Sequence, residues 1–188
     1  MSDVQPLHLV TLVGSLRQGS LNAAVAHALP DLAPAGMTFA ALPSVGAYPI
    51  YDADLQAEGF PVVVEETAAA IRSADGVVIV SPEYNYSIPG GLKNAIDWLS
   101  RLKAQPFAGK PVAIQSVSGG TLGGARMQYH LRQALVFLDA HVLNKPEVMI
   151  GQGQTKIDPA TATLTDEPTR QFITTQLTAF AAYIARLR

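Results

Sequence analysis

Gly76-Val77-Val78-Ile79-Val80-Ser81 is the stretch that decides the fold. Four consecutive apolar residues, three of them valine, leave no polar position for a solvent-facing side, so a strand here is buried on both faces. Such a strand belongs in the middle of a parallel sheet with helices above and below it. Apolar, β-branched-rich runs also occupy Leu7–Val13, Met37–Leu42, Pro111–Val117 and His141–Ile150, and the segments between them suit helices. The pattern is β-α repeated five times, which implies an α/β domain with a five-stranded parallel sheet.

Caps and spacing place the helices. Ser20–Leu29 is alanine-rich and is expected to stop at Pro30, and Val62–Ser73 ends before Asp75-Gly76. Pro89 suits a first helical turn, after which Leu92, Ile96 and Leu99 share one face. Ala125–Leu138 follows a glycine pair, and Ile173, Leu177, Phe180, Ile184 and Leu187 form the core stripe of a last helix. No repeat or linker divides the chain, so residues 1–188 read as a single domain.

Composition narrows the function. Thirteen basic and fifteen acidic residues leave a formal charge of −2 with no run of like charge, which gives no electrostatic footprint for nucleic acid or a membrane surface. There is no cysteine, so disulfides, zinc-thiolate sites and thiol redox chemistry are excluded and any redox role needs a bound cofactor. The start of the chain lacks a basic segment followed by a long apolar one, and no apolar stretch approaches ~20 residues, so a cytoplasmic protein is expected. His8, His27, His130 and His141 lack ligand-like spacing and read as structural, with no metal site. Only 15% of residues are charged, below the roughly 25% of ordinary domains, which points to surface covered by a ligand or a second subunit.

Three turns at the carboxyl ends of strands are longer and more polar than a connection requires: Gly14–Asn22, Pro82–Gly91 and Ser116–Gly124. The first offers the hydroxyls of Ser15 and Ser20, the Asn22 amide, the Arg17 guanidinium and the N–H groups of a helix start, a set suited to a phosphate. It matches neither G-x-x-x-x-G-K-[ST] nor G-x-G-x-x-G, so a terminal monophosphate fits better than a pyrophosphate, and FMN is the common cofactor of that shape. The second turn is stiffened by Pro82 and Pro89. There Asn85 and neighbouring amides suit the polar edge of a flat ring, and Tyr84 or Tyr86 its face. The third supplies four glycines, Ser116, Ser118 and Thr121, and would stand beside the second as donors that tune a reduced ring.

The motifs G-S-L-R-Q-G-S-L-N, S-P-E-Y-N-Y-S-I-P-G-G-L-K-N-A-I-D-W-L-S-R and G-G-A-R-M-Q-Y-H-L-R-Q resemble those of the flavodoxin-like NAD(P)H-dependent FMN reductases, and within them the bacterial chromate and quinone reductases. The resemblance covers nearly the whole chain. It implies a flavodoxin-like three-layer sandwich with strand order 2-1-3-4-5 and helices on both faces. It also implies that Ser15, Arg17, Ser20 and Asn22 hold the FMN phosphate. Pro82, Glu83, Tyr84 and Asn85 would line the ribityl chain and ring, and Ser116, Ser118 and Gly119 would complete the site; relatives often carry another residue at the Gly119 position.

The same resemblance implies ping-pong catalysis, in which NADH or NADPH gives hydride to the flavin and is replaced by a quinone, chromate or a similar acceptor. The flavin then carries the chemistry and no catalytic side chain is required. Arg101 and Tyr86 are the candidates for the acceptor. The family implies a homodimer or homotetramer, with Trp98 and Leu102 expected to need cover from a partner and Arg126, Tyr129 and Glu147 as contacts between dimers. A flavodoxin-type electron carrier is the main rival, although a net charge of −2 is mild for docking by charge. A flavin-free module on the same scaffold is the second.

Overall fold

A computed structural model describes residues 6–188; the start of the chain, on which the absence of a leader is read, lies outside the described residues. The main sheet is parallel throughout. It holds β1 (Leu7–Val13), β2 (Met37–Ala41), β3 (Gly76–Val80), β4 (Pro111–Val117), β5 (His141–Val142) and β6 (Val148–Ile150). The order is β2-β1-β3-β4-β5, with β6 also paired to β4. The expected strand order is therefore present, with six strands rather than five. The run His141–Ile150 splits because Pro146 lies in its middle and has no N–H for a ladder, while Leu143 N–H still reaches Val112 O.

The helices are α1 (Leu21–Leu32), α2 (Ala53–Glu58), α3 (Val62–Ser73), α4 (Gly90–Ser100), α5 (Ala125–Phe137) and α6 (Glu167–Leu187). Val77 and Ile79 pack with α3, α4 and α5 through Ile71, Ile96 and Leu131. Val78 and Val80 point the other way, to α1 and α6, through Leu29, Ile173 and Phe180. All four of these β3 residues are fully buried, so the unbroken apolar run is explained by its two covered faces.

Three expectations are corrected. Helix α1 runs past Pro30 to Leu32, because Pro30 sits on the exposed side of its last turn while Leu29 and Leu32 bury the opposite side. The core stripe of α6 ends at Ile184, since Leu187 is exposed at the helix end. Trp98 is fully buried by its own chain rather than awaiting a partner. Its indole packs edge-on against Tyr51 and Phe60 and donates to the Pro49 carbonyl at 2.9 Å, and Leu102 is half-buried against the same cluster. A small hairpin, β7 (Ile157–Asp158) with β8 (Thr163–Leu164), precedes α6 and has no counterpart in the sequence reading. No helix among the described residues is long and apolar enough to cross a membrane.

Candidate cofactor site

The first turn leads from β1 into α1. Ser20 caps the helix, its Oγ accepting from Ala23 N–H at 3.3 Å. The N–H groups of Leu21 and Asn22 then have no acceptor within the helix, and with the helix dipole they favour an anion. Arg17 spends one N–H on the Gly19 carbonyl at 3.1 Å, is otherwise exposed, and forms no ion pair among the described residues. Ser15 Oγ accepts weakly from Arg17 N–H at 3.4 Å and remains half-exposed. Asn22 behaves differently from expectation. Its buried amide donates to Val117 O and accepts from Val117 N–H, both at 3.0 Å, so what it offers a phosphate is its main-chain N–H.

The second turn leaves β3 through Ser81-Pro82 and reverses at Tyr84–Ser87. Tyr84 N–H donates to Ser87 O at 3.1 Å and Ser87 N–H to Tyr84 O at 2.9 Å, with Asn85 at φ 47° and Tyr86 at φ 68° between them. Two central residues at positive φ are the mark of a type I′ reversal, which explains an asparagine at the first of them. Asn85 and Tyr86 therefore stand exposed at a tip. The Arg126 guanidinium lies over the Tyr86 ring, 3.6 Å from its centroid. The same arginine is ion-paired to Glu83. Glu83 Oε2 also accepts from the N–H groups of Arg126 (3.1 Å) and Met127 (3.3 Å), so this carboxylate caps α5. Burial works to raise the Glu83 pKa, but the Arg126 guanidinium and the two amides outweigh it and hold the carboxyl below its ordinary range.

In the third turn Ser116 is fully buried. Its Oγ donates to Gly123 O at 2.6 Å and accepts from Gln128 Nε2 at 2.8 Å, so it braces the turn rather than facing a ligand. Gly124, at φ 90°, begins α5 in a conformation that favours glycine. Gly119 has a different constraint: a Cβ there would lie 2.2 Å from Nε2 of Gln154.

These turns enclose a cavity of about 260 Å³. Ser15, Arg17, Ser20 and Asn22 line one part of it, Pro82, Glu83 and Tyr84 another, and Ser118 and Gly119 a third. Asn85, Tyr86 and Ser116 do not line it. Arg101 is also outside: it ends α4, over the Tyr51 ring, and the eleven residues of the helix put roughly 16 Å between it and the second turn. Leu21, Val117 and Gln154 line the cavity without having been foreseen. Leu21 and Val117 follow from their neighbours in sequence, but a lone glutamine in a glycine-rich stretch carries no signal. The donor set fits a flavin monophosphate, since an arginine without an ion pair and a helix start meet on one side, and on the others stand loops whose one charge, Glu83, is paired to Arg126.

With that geometry, the matches are specific. Residues 7–155 match the family model described as NADPH-dependent FMN reductase, and the chain belongs to that family, whose members use NAD(P)H as donor and FMN as flavin. Over 185 residues it is 62% identical to a quinone reductase of Escherichia coli (strain K12), covering 98% of each chain. It is 48% identical over 188 residues to an NAD(P)H-dependent FMN reductase of Pseudomonas aeruginosa, covering 100% of both. Among solved structures, the NAD(P)H:(acceptor) oxidoreductase FerB of Paracoccus denitrificans superposes with a TM-score of 0.85 at 35% identity, covering 96% of this chain and 98% of that one.

Proposed function

We propose that this chain is an FMN-containing oxidoreductase that carries electrons from NADH or NADPH to quinones, with chromate as a further acceptor. The observation that carries the reading is the cavity itself, where Arg17 and the start of α1 meet the Pro82–Tyr84 and Ser118-Gly119 loops. Bound FMN supplies the two-electron chemistry that no side chain here possesses. The protein's share is to hold and orient it: Arg17, Ser20 and the first amides of α1 take the phosphate, and Pro82, Tyr84 and Ser118 flank the rest. Glu83 acts indirectly, fixing the second turn to α5.

Donor and acceptor take turns at one opening, in keeping with a ping-pong order. The quinone reductase of E. coli and a 2-hydroxy-1,4-benzoquinone reductase of Burkholderia, 41% identical over 179 residues, support a quinone as acceptor. Tyr86, exposed at the second turn's tip, is the candidate to meet it. Arg101 reaches an acceptor only at the cavity of another copy, which accords with a homodimer or homotetramer, and Phe137 and Val136, 83% and 76% exposed at the end of α5, are apolar surface that a second copy would cover. A reaction supplied by NAD(P)H is in keeping with the cytoplasm.

The test is steady-state oxidation of NADH and NADPH by the FMN-loaded protein across quinones and chromate. Turnover with parallel initial-rate lines supports the reading. Absence of quinone-dependent turnover, with a one-electron reduced flavin accumulating instead, sinks it in favour of an electron carrier.

A further inference from the structure

Gln154 sits where three elements meet. It lies in the short 3-10 turn Gly153–Thr155, entered through Gln152 at φ 54°. Main-chain bonds fix this turn against the third loop: Gln152 N–H donates to Gly120 O at 3.0 Å and Gly153 N–H to Ser118 O at 2.9 Å. The Gln154 side chain itself is exposed, and its amide occupies the space that a side chain at Gly119 would need, 2.2 Å from the position of a Cβ. Gly119 thus opens a gap, and the Gln154 amide fills it from outside.

The amide's place along the cavity is also defined. Gln154 lines the cavity of about 260 Å³ and also a neighbouring one of about 290 Å³. The residues common to both are Arg17, Ser20 and Leu21 together with Gln154, whereas none of the second turn reaches the neighbouring cavity. Gln154 therefore stands at the Arg17 side. A primary amide there donates to an anion without adding a charge and without titrating.

We infer that Gln154 is a further phosphate-end ligand of the coenzyme, admitted by the missing side chain of Gly119. This rests on the FMN reading above. The amide donates to a phosphate oxygen alongside Arg17 and the α1 amides, and any side chain at position 119 competes with it for space.

Apoprotein is titrated with FMN and with riboflavin, which lacks the phosphate, by quenching of flavin fluorescence. Gln154→Ala is expected to weaken FMN about tenfold or more, the scale of a hydrogen bond to a charged group, while riboflavin changes by less than about twofold. Gln154→Glu sets a carboxylate against the phosphate and weakens FMN further than Gln154→Ala does, a comparison that stands even if riboflavin binds poorly. Gly119→Ala meets only the mobile end of Gln154, so the variant folds; it reproduces the loss for FMN and adds nothing in the Gln154→Ala background. Equal losses for both flavins, unchanged FMN affinity, Gln154→Glu no worse than Gln154→Ala, or additive effects of the two positions would overturn the assignment. Wild-type protein that takes up no FMN overturns instead the coenzyme reading beneath it.

Discussion

Asn22 and Val117 exchange two hydrogen bonds across 95 residues of sequence, the asparagine amide matching the valine's main-chain O and N–H. This contact ties the first turn of α1 to the last residue of β4, so two of the three site loops are joined by a side-chain contact as well as through the sheet. Asn22→Ala leaves a buried main-chain donor and acceptor unpaired, and is expected to destabilise the fold by about 2–4 kcal/mol. Asn22→Asp is no rescue, because one carboxylate oxygen then faces the Val117 carbonyl. Urea unfolding midpoints of the two variants check this. Midpoints equal to wild type would mean that the contact is not a clamp.

Arg17 is the converse case. Its exposed side chain makes one hydrogen bond among the described residues, to Gly19 O, so Arg17→Ala should leave the unfolding midpoint nearly unchanged. Its FMN affinity should nevertheless fall by about 1.5–3 kcal/mol, and the loss should shrink as salt rises. Fluorescence titration at two ionic strengths measures both. An unchanged dissociation constant would take the phosphate role from this side chain.

Glu83 links acid sensitivity to the site. Its carboxyl is buried, which opposes ionisation, yet Arg126 and two α5 amides bring its folded-state pKa below the ordinary 4.5. A depressed folded value means that the stabilisation is fully present above the unfolded value and disappears as pH falls through the folded one. Glu83→Gln keeps an acceptor for the amides but has no charge to lose. The variant should therefore be less stable than wild type at neutral pH, and the gap should close on acidification below about pH 4.5. Asp75, whose burial is outweighed by the His8 N–H and Arg188, is likewise held below its ordinary value at the opposite end of β3 and is unaffected by the change, so some acid sensitivity remains. Thermal midpoints of both proteins across that range decide it; a pH-independent gap would show that the Glu83 charge is immaterial.

What the sequence disclosed, and what it withheld, follows from the range of the forces involved. Val77–Val80 announced a doubly covered strand because burial on both faces is a local pattern of residue type. The placement of Arg17 and Ser20 beside the cavity was legible for a similar reason, since a turn before a helix fixes where its hydroxyls and N–H groups lie. The roles of Asn22 and Ser116 were not. Their partners, Val117 and Gln128, come from distant segments, and a polar residue in a polar loop reads the same whether it faces a ligand or braces the backbone. The distance of Arg101 from the cavity of its own chain was a matter of length, because a residue that ends a helix begun at the site is carried away from it.

Trp98, the protein's only tryptophan, gives a last prediction about where one apolar surface goes. Its helix position off the main stripe suggested a subunit boundary, yet segment 48–60 folds over it: Tyr51 lies 5.1 Å and Phe60 6.2 Å from its ring, and Pro49 O takes its indole N–H. If that cover is intramolecular, tryptophan emission of the flavin-free protein should stay blue-shifted on dilution through any dissociation of subunits seen by light scattering. Trp98→Phe should lose the hydrogen bond to Pro49 and part of the packing. Trp98→Ala should cost about 3–5 kcal/mol by opening a cavity beneath that segment. A red shift of the emission that tracks dissociation would place the indole at a boundary between copies and overturn the intramolecular account.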